Sequence, residues 1–548
     1  MKGLFLGLWV VFLMAQNISA EGGEMTANAP RANDAIRIDV GRQLFVDDYL
    51  ISETTLTRSF HAARLYGKNP VLKPETPIEM NVTNGGWCPV AAPFDDGVFY
   101  DPKDHLFKMW YMGGWFNGNC YAVSKDGLSW DRPSLDVMPG TNRVLPVRQV
   151  EGRILQRDAT TVWLDHDAAN PSQRFKMFVY SRQKGQKLNV NEMGELFTSP
   201  DGIHWSEPMK VGFQHGDNSS FYYDPFRKLW VFSIRNRTQS LRHPDDKKVT
   251  VRARFYLANA DFSKLVDRGK DGPVLWLKCD ELDKPDPELG YEPELYDFTA
   301  VAYESLMVGV FGIFVGPPNA VCAKEKRPKI IDLELGFSRD GLHYERPDRR
   351  PFIACSRKPG DWNRGYLHPA SGVCLVVGDE LYFYFAAFSG VSPKVGGHVY
   401  AGGSTGIATL RRDGFASLEA GPTPGTVTTK NMVFDGKYLF VNVDAKAGEL
   451  RMEVLDADGK VIAPFLRDNC VPVKADSTRQ RIEWKGAPDL AALARQTAGR
   501  VRFRFHLTNA KLYSFWVSPD LSGASHGYVA AGGPGLTGPT DTTGGGQK

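Results

Sequence analysis

Acidic residues recur at one phase of a repeated strand pattern, the arrangement that acid–base chemistry by several carboxyl groups requires. Asp158 begins DATTVWLD, Asp217 begins DNSSFYYD and Asp297 begins DFTAVAYE, each with a second acid seven residues on, at Asp165, Asp224 or Glu304. His368 takes the same place in HPASGVCL, and Asp95 or Asp96 fits within one residue in DDGVFYD. Carboxylates that converge repel one another and raise each other's pKa. Such a cost points to a purpose. Cleavage of a glycosidic bond has that need: one carboxylic acid protonates the leaving oxygen while a second carboxylate attacks carbon or activates water. A lone Asp at a strand start is equally well explained by turn capping through its own oxygen. It is the set that points to a polar funnel, with Asp217, Asp297 and His368 lining it.

Local sequence adds candidates. In YEPELYDF, Pro293 keeps the lead-in extended, which makes Glu294 the best-placed general acid, with Glu292 as its alternative. Arg157 precedes Asp158; neighbours in a regular strand point to opposite faces, so an irregular start is needed for Arg157 to bind substrate as well. Trp87, Trp115 and Trp362 sit in glycine-rich loops, GGWCP, YMGGWFNG and GDWNRGYLHP, where an indole face could stack on a sugar ring.

The elements that must position these residues read as short strands. FKMWYM with YAVSKDGLSWDRP, FKMFVY with LFTSPDGIHWSEP, and VGVFGIF with LGFSRDGLHYERP are three copies of one unit, and LWVFSIR and LYFYFAAF open two weaker ones. Asp158 to Ser199 and Asp297 to Ser338 are both 41 positions apart, which fixes the alignment of two copies. Repeats of this kind predict a β-propeller, with the first residues of the innermost strands around one central funnel. The expected architecture is all-β: a five-bladed β-propeller over 37–421, a linker over 422–430 and a β-sandwich over 431–520. A Gly/Thr-rich tail without structure is expected over 521–548. Trp130, Trp205 and Tyr344, which recur in the copies, read as blade packing.

Residues 1–20 read as a secretory signal peptide: Lys2, an apolar run from Leu4 to Ala15 and a small residue at Ala20. A disordered lead-in over 21–36 follows. The expected location is therefore secreted or periplasmic, without membrane attachment after cleavage. A net charge of +3 over 548 residues, with no basic run, argues against nucleic acid as a partner. Seven widely spaced cysteines without C-x-x-C give no support for zinc and read mostly as buried thiols. No nucleotide, flavin or haem motif is present; the cofactor reading is none, with a structural Ca²⁺ held by funnel Asp oxygens as the one exception.

The S-x-D-G-x-x-W copies, the NPVL segment at Asn69–Leu72, the Arg157-Asp158 pair and the trailing strands together resemble glycoside hydrolases of families 32 and 43, most of all exported bacterial proteins similar to family 32. The resemblance implies a carbohydrate substrate, Asp95 or Asp96 as nucleophile or base, and Asp158 as transition-state stabiliser. The sequence departs from family 32 where PFDDGVFYD replaces its W-M-N-D-P-N-G motif, where Ala159 replaces the proline after Arg-Asp, and where the third repeat offers GDNSS in place of Glu-Cys. Two alternatives follow: a carbohydrate-binding propeller without catalysis, and a sialidase-like enzyme using Arg157, Arg235 and Arg254.

Overall fold

The computed structural model describes residues 35–544 apart from 147, 151–152, 184–192, 213–215, 268–271, 492 and 494–499. The signal peptide expected over 1–20 and most of the lead-in expected over 21–36 therefore lie outside the described residues. Among those described, no helix is long and apolar enough to cross a membrane.

The chain is all-β. Five antiparallel meanders succeed one another, led by Val90–Asp101, Arg153–Leu164, Ser220–Asp224, Glu294–Glu304 and Gly365–Pro369. Each leading strand lies beside the next, and the fifth lies beside the first. The outer strand of the fifth meander, Gly403–Arg411, also pairs in parallel with Val90–Asp101 through Gly403↔Val90 and Ser404↔Ala91. Aromatic and β-branched residues dominate these strands, and their side chains form one continuous core.

The S-x-D-G turns explain how neighbouring meanders dock. Asp126 Oδ1 accepts from the amides of Leu128 and Ser129, both at 2.8 Å, and Asp201 and Asp340 repeat the arrangement. The glycine of each turn has φ between 70° and 81°, a conformation glycine adopts without a Cβ clash. Its carbonyl accepts from the preceding meander: Gly202 O from Trp110 Nε1 at 2.7 Å, Gly341 O from Arg227 Nη2 at 2.6 Å, and Gly127 O from Tyr384 OH at 2.5 Å. Because Tyr384 belongs to the fifth meander, the first docks on the last.

A second core lies between two further antiparallel sheets, with Phe45, Leu50, Leu418, Val441, Phe503, Phe505 and Phe515 inside it. The boundary differs from the sequence-based one. Gln43–Leu44 pairs with Ala510–Ser518, Ile51–Thr54 with Gly425–Thr429, and Thr57–Phe60 with Ala416–Ala420. Residues 43–60, expected with the propeller, thus complete the C-terminal sheets. Their partners lie hundreds of residues away, so nothing local in the sequence says which sheet they join.

The tail also differs from expectation. Tyr528 and Val529 pair with Glu304 and Tyr303, and Asp541 is buried. Its glycines mark close packing: a Cβ on Gly533 would lie 1.7 Å from the Val376 carbonyl oxygen. The tail closes a dry ionic network in which Arg412 Nη2 donates to Glu304 Oε1 at 3.1 Å and Asp541 Oδ2 at 2.9 Å. Arg42 Nη1 donates to Asp413 Oδ2 at 3.0 Å, and its guanidinium lies 4.1 Å from the centre of the Trp516 ring. All seven cysteines are buried free thiols.

Candidate functional site

Each leading strand loses its regular register, or carries a positive φ, at the end where the repeated polar residue stands. The ladder shifts between Ala92 and Gly97, Arg157 and Ala159, Leu295 and Asp297, and Gly365 and His368. Asp95, Asn218 and Tyr366 have φ of 61°, 54° and 54°. Such bulges re-aim side chains that a regular pleat would send to opposite faces.

Three of the re-aimed residues converge. Asp95, Asp297 and His368 each place one polar atom within 4.8 Å of the others, and all three are buried. His368 Nδ1 is 2.6 Å from Asp297 Oδ2. Asp95 Oδ2, both oxygens of Asp297 and both ring nitrogens of His368 have no hydrogen-bond partner of good geometry. Phe94 packs against the imidazole at 4.0 Å between ring centres and Tyr366 at 4.5 Å.

Dehydration sets the protonation of this cluster. Burial, reinforced by the Asp297 carboxylate, pushes Asp95 well above the usual carboxylate range. Burial pushes Asp297 up to about 7 against the pull of Arg254 and Lys329, and it pushes His368 down to about 3. The cluster therefore favours neutral carboxylic acids beside a neutral imidazole.

Asp95 and Asp96 stand in different settings. Asp96 accepts from Phe94 N at 2.9 Å, Asn119 Nδ2 at 2.8 Å and Arg157 Nη2 at 2.7 Å. Burial nonetheless raises it to about 6. Asp96 and Arg157 thus clamp the first meander to the second, and Arg157, expected at the substrate, is turned to this carboxylate and to Thr160 Oγ1 at 2.9 Å.

Asp158 occupies the bulge of its strand and is buried. Its charge is felt at Lys329, Arg235 and Tyr366. Glu294 is held by Arg252: Oε2 accepts from Arg252 N at 2.7 Å and Arg252 Nη1 at 2.9 Å. Glu292 accepts from Ser240 Oγ at 2.6 Å, and Asp217 pairs with Arg235. Trp115 is buried and stacks on Tyr400 at 4.4 Å, Trp362 packs near Phe385 at 5.8 Å, and Trp87 is 51% exposed.

Several residues of this region escaped the sequence reading. Lys329 is buried, donates from Nζ to Tyr296 OH at 2.7 Å and lies 4.5 Å from the centre of the Tyr366 ring. Burial, with Arg252 nearby, lowers it to about 7. Tyr296 OH is in turn 3.2 Å from Tyr366 OH. Both tyrosines flank the aligned positions Asp297 and His368, the one signal that could have found them. Arg254 donates to three backbone carbonyls, Tyr296 O at 3.0 Å, Asn218 O at 2.8 Å and Ser233 O at 2.7 Å. With Arg157 and Arg254 so engaged and Arg235 on Asp217, these arginines do not present the three free guanidiniums that the sialidase-like alternative requires.

No protein-family model matches the chain, and no curated protein matches it. The solved structures it resembles include several glycoside hydrolases. They include a thermostable family-43 glycoside hydrolase, 12% identical over 61% of this chain and 96% of that one with a TM-score of 0.39. A glycosyl hydrolase from Bacteroides ovatus is 12% identical over 68% and 97% with a TM-score of 0.40. A third comes from the GH130 family of mannoside phosphorylases, said to contain glycoside hydrolases that target β-1,2 mannosidic linkages in Candida mannan; it is 14% identical over 67% and 96% with a TM-score of 0.38. Likeness at this distance assigns no activity, and the site is read from its own geometry.

Proposed function

We propose that this chain is an exported glycoside hydrolase built as a five-bladed propeller with a C-terminal sandwich, acting on an oligo- or polysaccharide. The cyclic order of the leading strands and the docking of the first meander on the last support the architecture. The observation that carries the activity is the convergence of Asp95, Asp297 and His368 with their polar atoms unpartnered. A carboxylic acid held neutral near pH 7 can give a proton to a leaving oxygen, and a second carboxyl group beside it can act as nucleophile or base once ionised. In this reading Asp95 is the nucleophile or base, Asp297 holds the proton, His368 positions it, and Asp158 stabilises the positive charge that develops on the sugar. Glu294 is the competing acid.

The mature protein, incubated with a panel of glycans, should release reducing ends from at least one of them. Asp95→Asn should lower turnover by roughly 10²–10⁴-fold. Calorimetric binding to a glycan with no release from any would favour the carbohydrate-binding alternative and end the hydrolase reading.

A second reading rests on the same unpartnered atoms. Two carboxylates and an imidazole suit a divalent cation, and the nitrogen donor departs from the all-oxygen shell that Ca²⁺ prefers. Metal analysis of the purified protein, with melting measured before and after a chelator, separates this from proton sharing. Stoichiometric metal and a drop in Tm favour the ion.

A further inference from the structure

The outer face of the sheet that carries Arg502–Thr508 offers a second recessed site, far in sequence from the acid cluster. Thr426, His506 and Arg451 stand side by side on three adjacent strands, as the registers Thr426↔His506 and Arg451↔His506 require. Adjacent strands lie ~4.8 Å apart, so hydroxyl, imidazole and guanidinium form a row about 10 Å long. This row forms part of a cavity of about 370 Å³, whose wall also includes Arg467, Glu449 and Thr508.

Charge on this face is unbalanced. Glu449 accepts from Arg451 Nε at 3.1 Å, and Glu53 and Glu453 lie 3.3 and 3.2 Å from the Arg504 guanidinium. Those contacts use every carboxylate just named. Arg467 is exposed, its carbonyl accepts from Cys470 N at 3.2 Å, and its guanidinium has no ion pair or hydrogen bond among the described residues. His506 Nε2 lies 3.2 Å from Glu453 Oε1, but is buried without a hydrogen bond of good geometry. Arg502, on the same face, donates from Nε to Asn431 Oδ1 and to no carboxylate. The cavity wall holds no Phe, Tyr or Trp, so a neutral sugar would find no broad stacking platform there. A planar fork beside an imidazole and hydroxyls instead suits an oxyanion on a polyhydroxylated chain.

We infer that Arg467, Arg451 and His506 bind an anionic glycan, through the carboxylate of a uronic acid or a sulfate ester, at a site separate from the acid cluster. It requires no catalysis, so it stands or falls independently of the hydrolase reading.

The test uses the full-length protein in affinity electrophoresis against polygalacturonate, dextran sulfate and uncharged dextran. Retention by at least one of the charged polymers should exceed that by dextran roughly tenfold and should fall as salt screens it. Retention by polygalacturonate alone assigns a carboxylate site; retention by dextran sulfate assigns a sulfate site. Arg467→Ala, a surface change that leaves the fold intact, should weaken retention at least fivefold, and Asp95→Asn should leave it unchanged. Equal retention by dextran, or full retention in Arg467→Ala, overturns the inference. So does loss in Asp95→Asn with retention in Arg467→Ala, which would place binding in the funnel.

Discussion

His368 Nδ1 and Asp297 Oδ2 lie 2.6 Å apart with both side chains wholly shielded from solvent. The two atoms are in close contact, yet neither has a hydrogen bond of good geometry. Because burial raises the carboxyl group to about 7 and lowers the imidazole to about 3, the favoured arrangement is a neutral acid beside a neutral ring.

That pairing makes stability depend on pH in two directions. Asp297 binds its proton more tightly in the folded chain than at the ~3.9 of an unfolded aspartate, so its contribution is full below ~3.9 and is lost as pH rises through about 7. His368 works in the opposite sense: its folded value of about 3 lies below an unfolded ~6.5, so its contribution is full above ~6.5 and is lost as pH falls toward 3. Asp297→Asn should abolish the first loss and keep the second. Relative to the parent, the variant should gain stability on the order of a few kcal/mol between pH 4 and pH 7. Melting temperatures of both proteins across that range provide the check; parallel curves would show that Asp297 does not hold the proton.

Which carboxyl group donates to the leaving oxygen is decided by leaving-group dependence. If Asp297 is the acid, Asp297→Asn should slow natural glycosides by roughly 10²–10⁴-fold, and a glycoside with a strongly acidic leaving phenol should recover most of that rate. Glu294→Gln should then lose less than tenfold on both, since the Glu294 carboxylate is held by Arg252. The reverse pattern would return the acid role to Glu294.

A different expectation concerns Arg412, which joins the leading strand of the fourth meander to the tail through Glu304 and Asp541. Arg412→Ala leaves Glu304 without one of its cations in a dry setting. Removing one partner of such a network costs about 3–5 kcal/mol. Arg412→Ala should melt well below the parent, and proteolysis should begin within 521–544. Parent-like melting would mean that water reaches this network.

The sequence made the repeat and its polar residues legible because turn chemistry is local. An Asp that caps its own turn followed by a glycine at positive φ leaves the same mark at Asp126, Asp201 and Asp340. The meanders, the clustering of Asp95, Asp297 and His368, and the burial of Asp158 follow that periodicity. What escaped depends on partners distant in the chain. Glycines near Gly533 look the same in a loose tail and in one pressed against Val376. Thr57–Phe60 carries no mark of the sheet it joins, and its partner strand lies some 360 residues away. Lys329 carries no local mark, since its setting is made by Tyr296 and Tyr366 from two other strands. Arg157 was assigned to substrate because its neighbour is Asp158; the bulge turns it instead toward Asp96.

The Asp96–Arg157 clamp gives the last prediction. Arg157→Met removes the guanidinium 2.7 Å from a buried carboxylate. Asp96 then keeps its bonds to Phe94 N and Asn119 Nδ2 but loses its cation, at a cost of about 3–5 kcal/mol. Because Asp96 directly follows Asp95, a shift there should also displace Asp95 and reduce turnover. Adding Asp96→Asn removes the stranded charge, so the double variant should regain much of the lost stability, a coupling between contacting residues that a double-mutant cycle measures. Additive losses in melting temperature would show that the two side chains act independently. Stability recovered without turnover would place the pair's role in aiming Asp95.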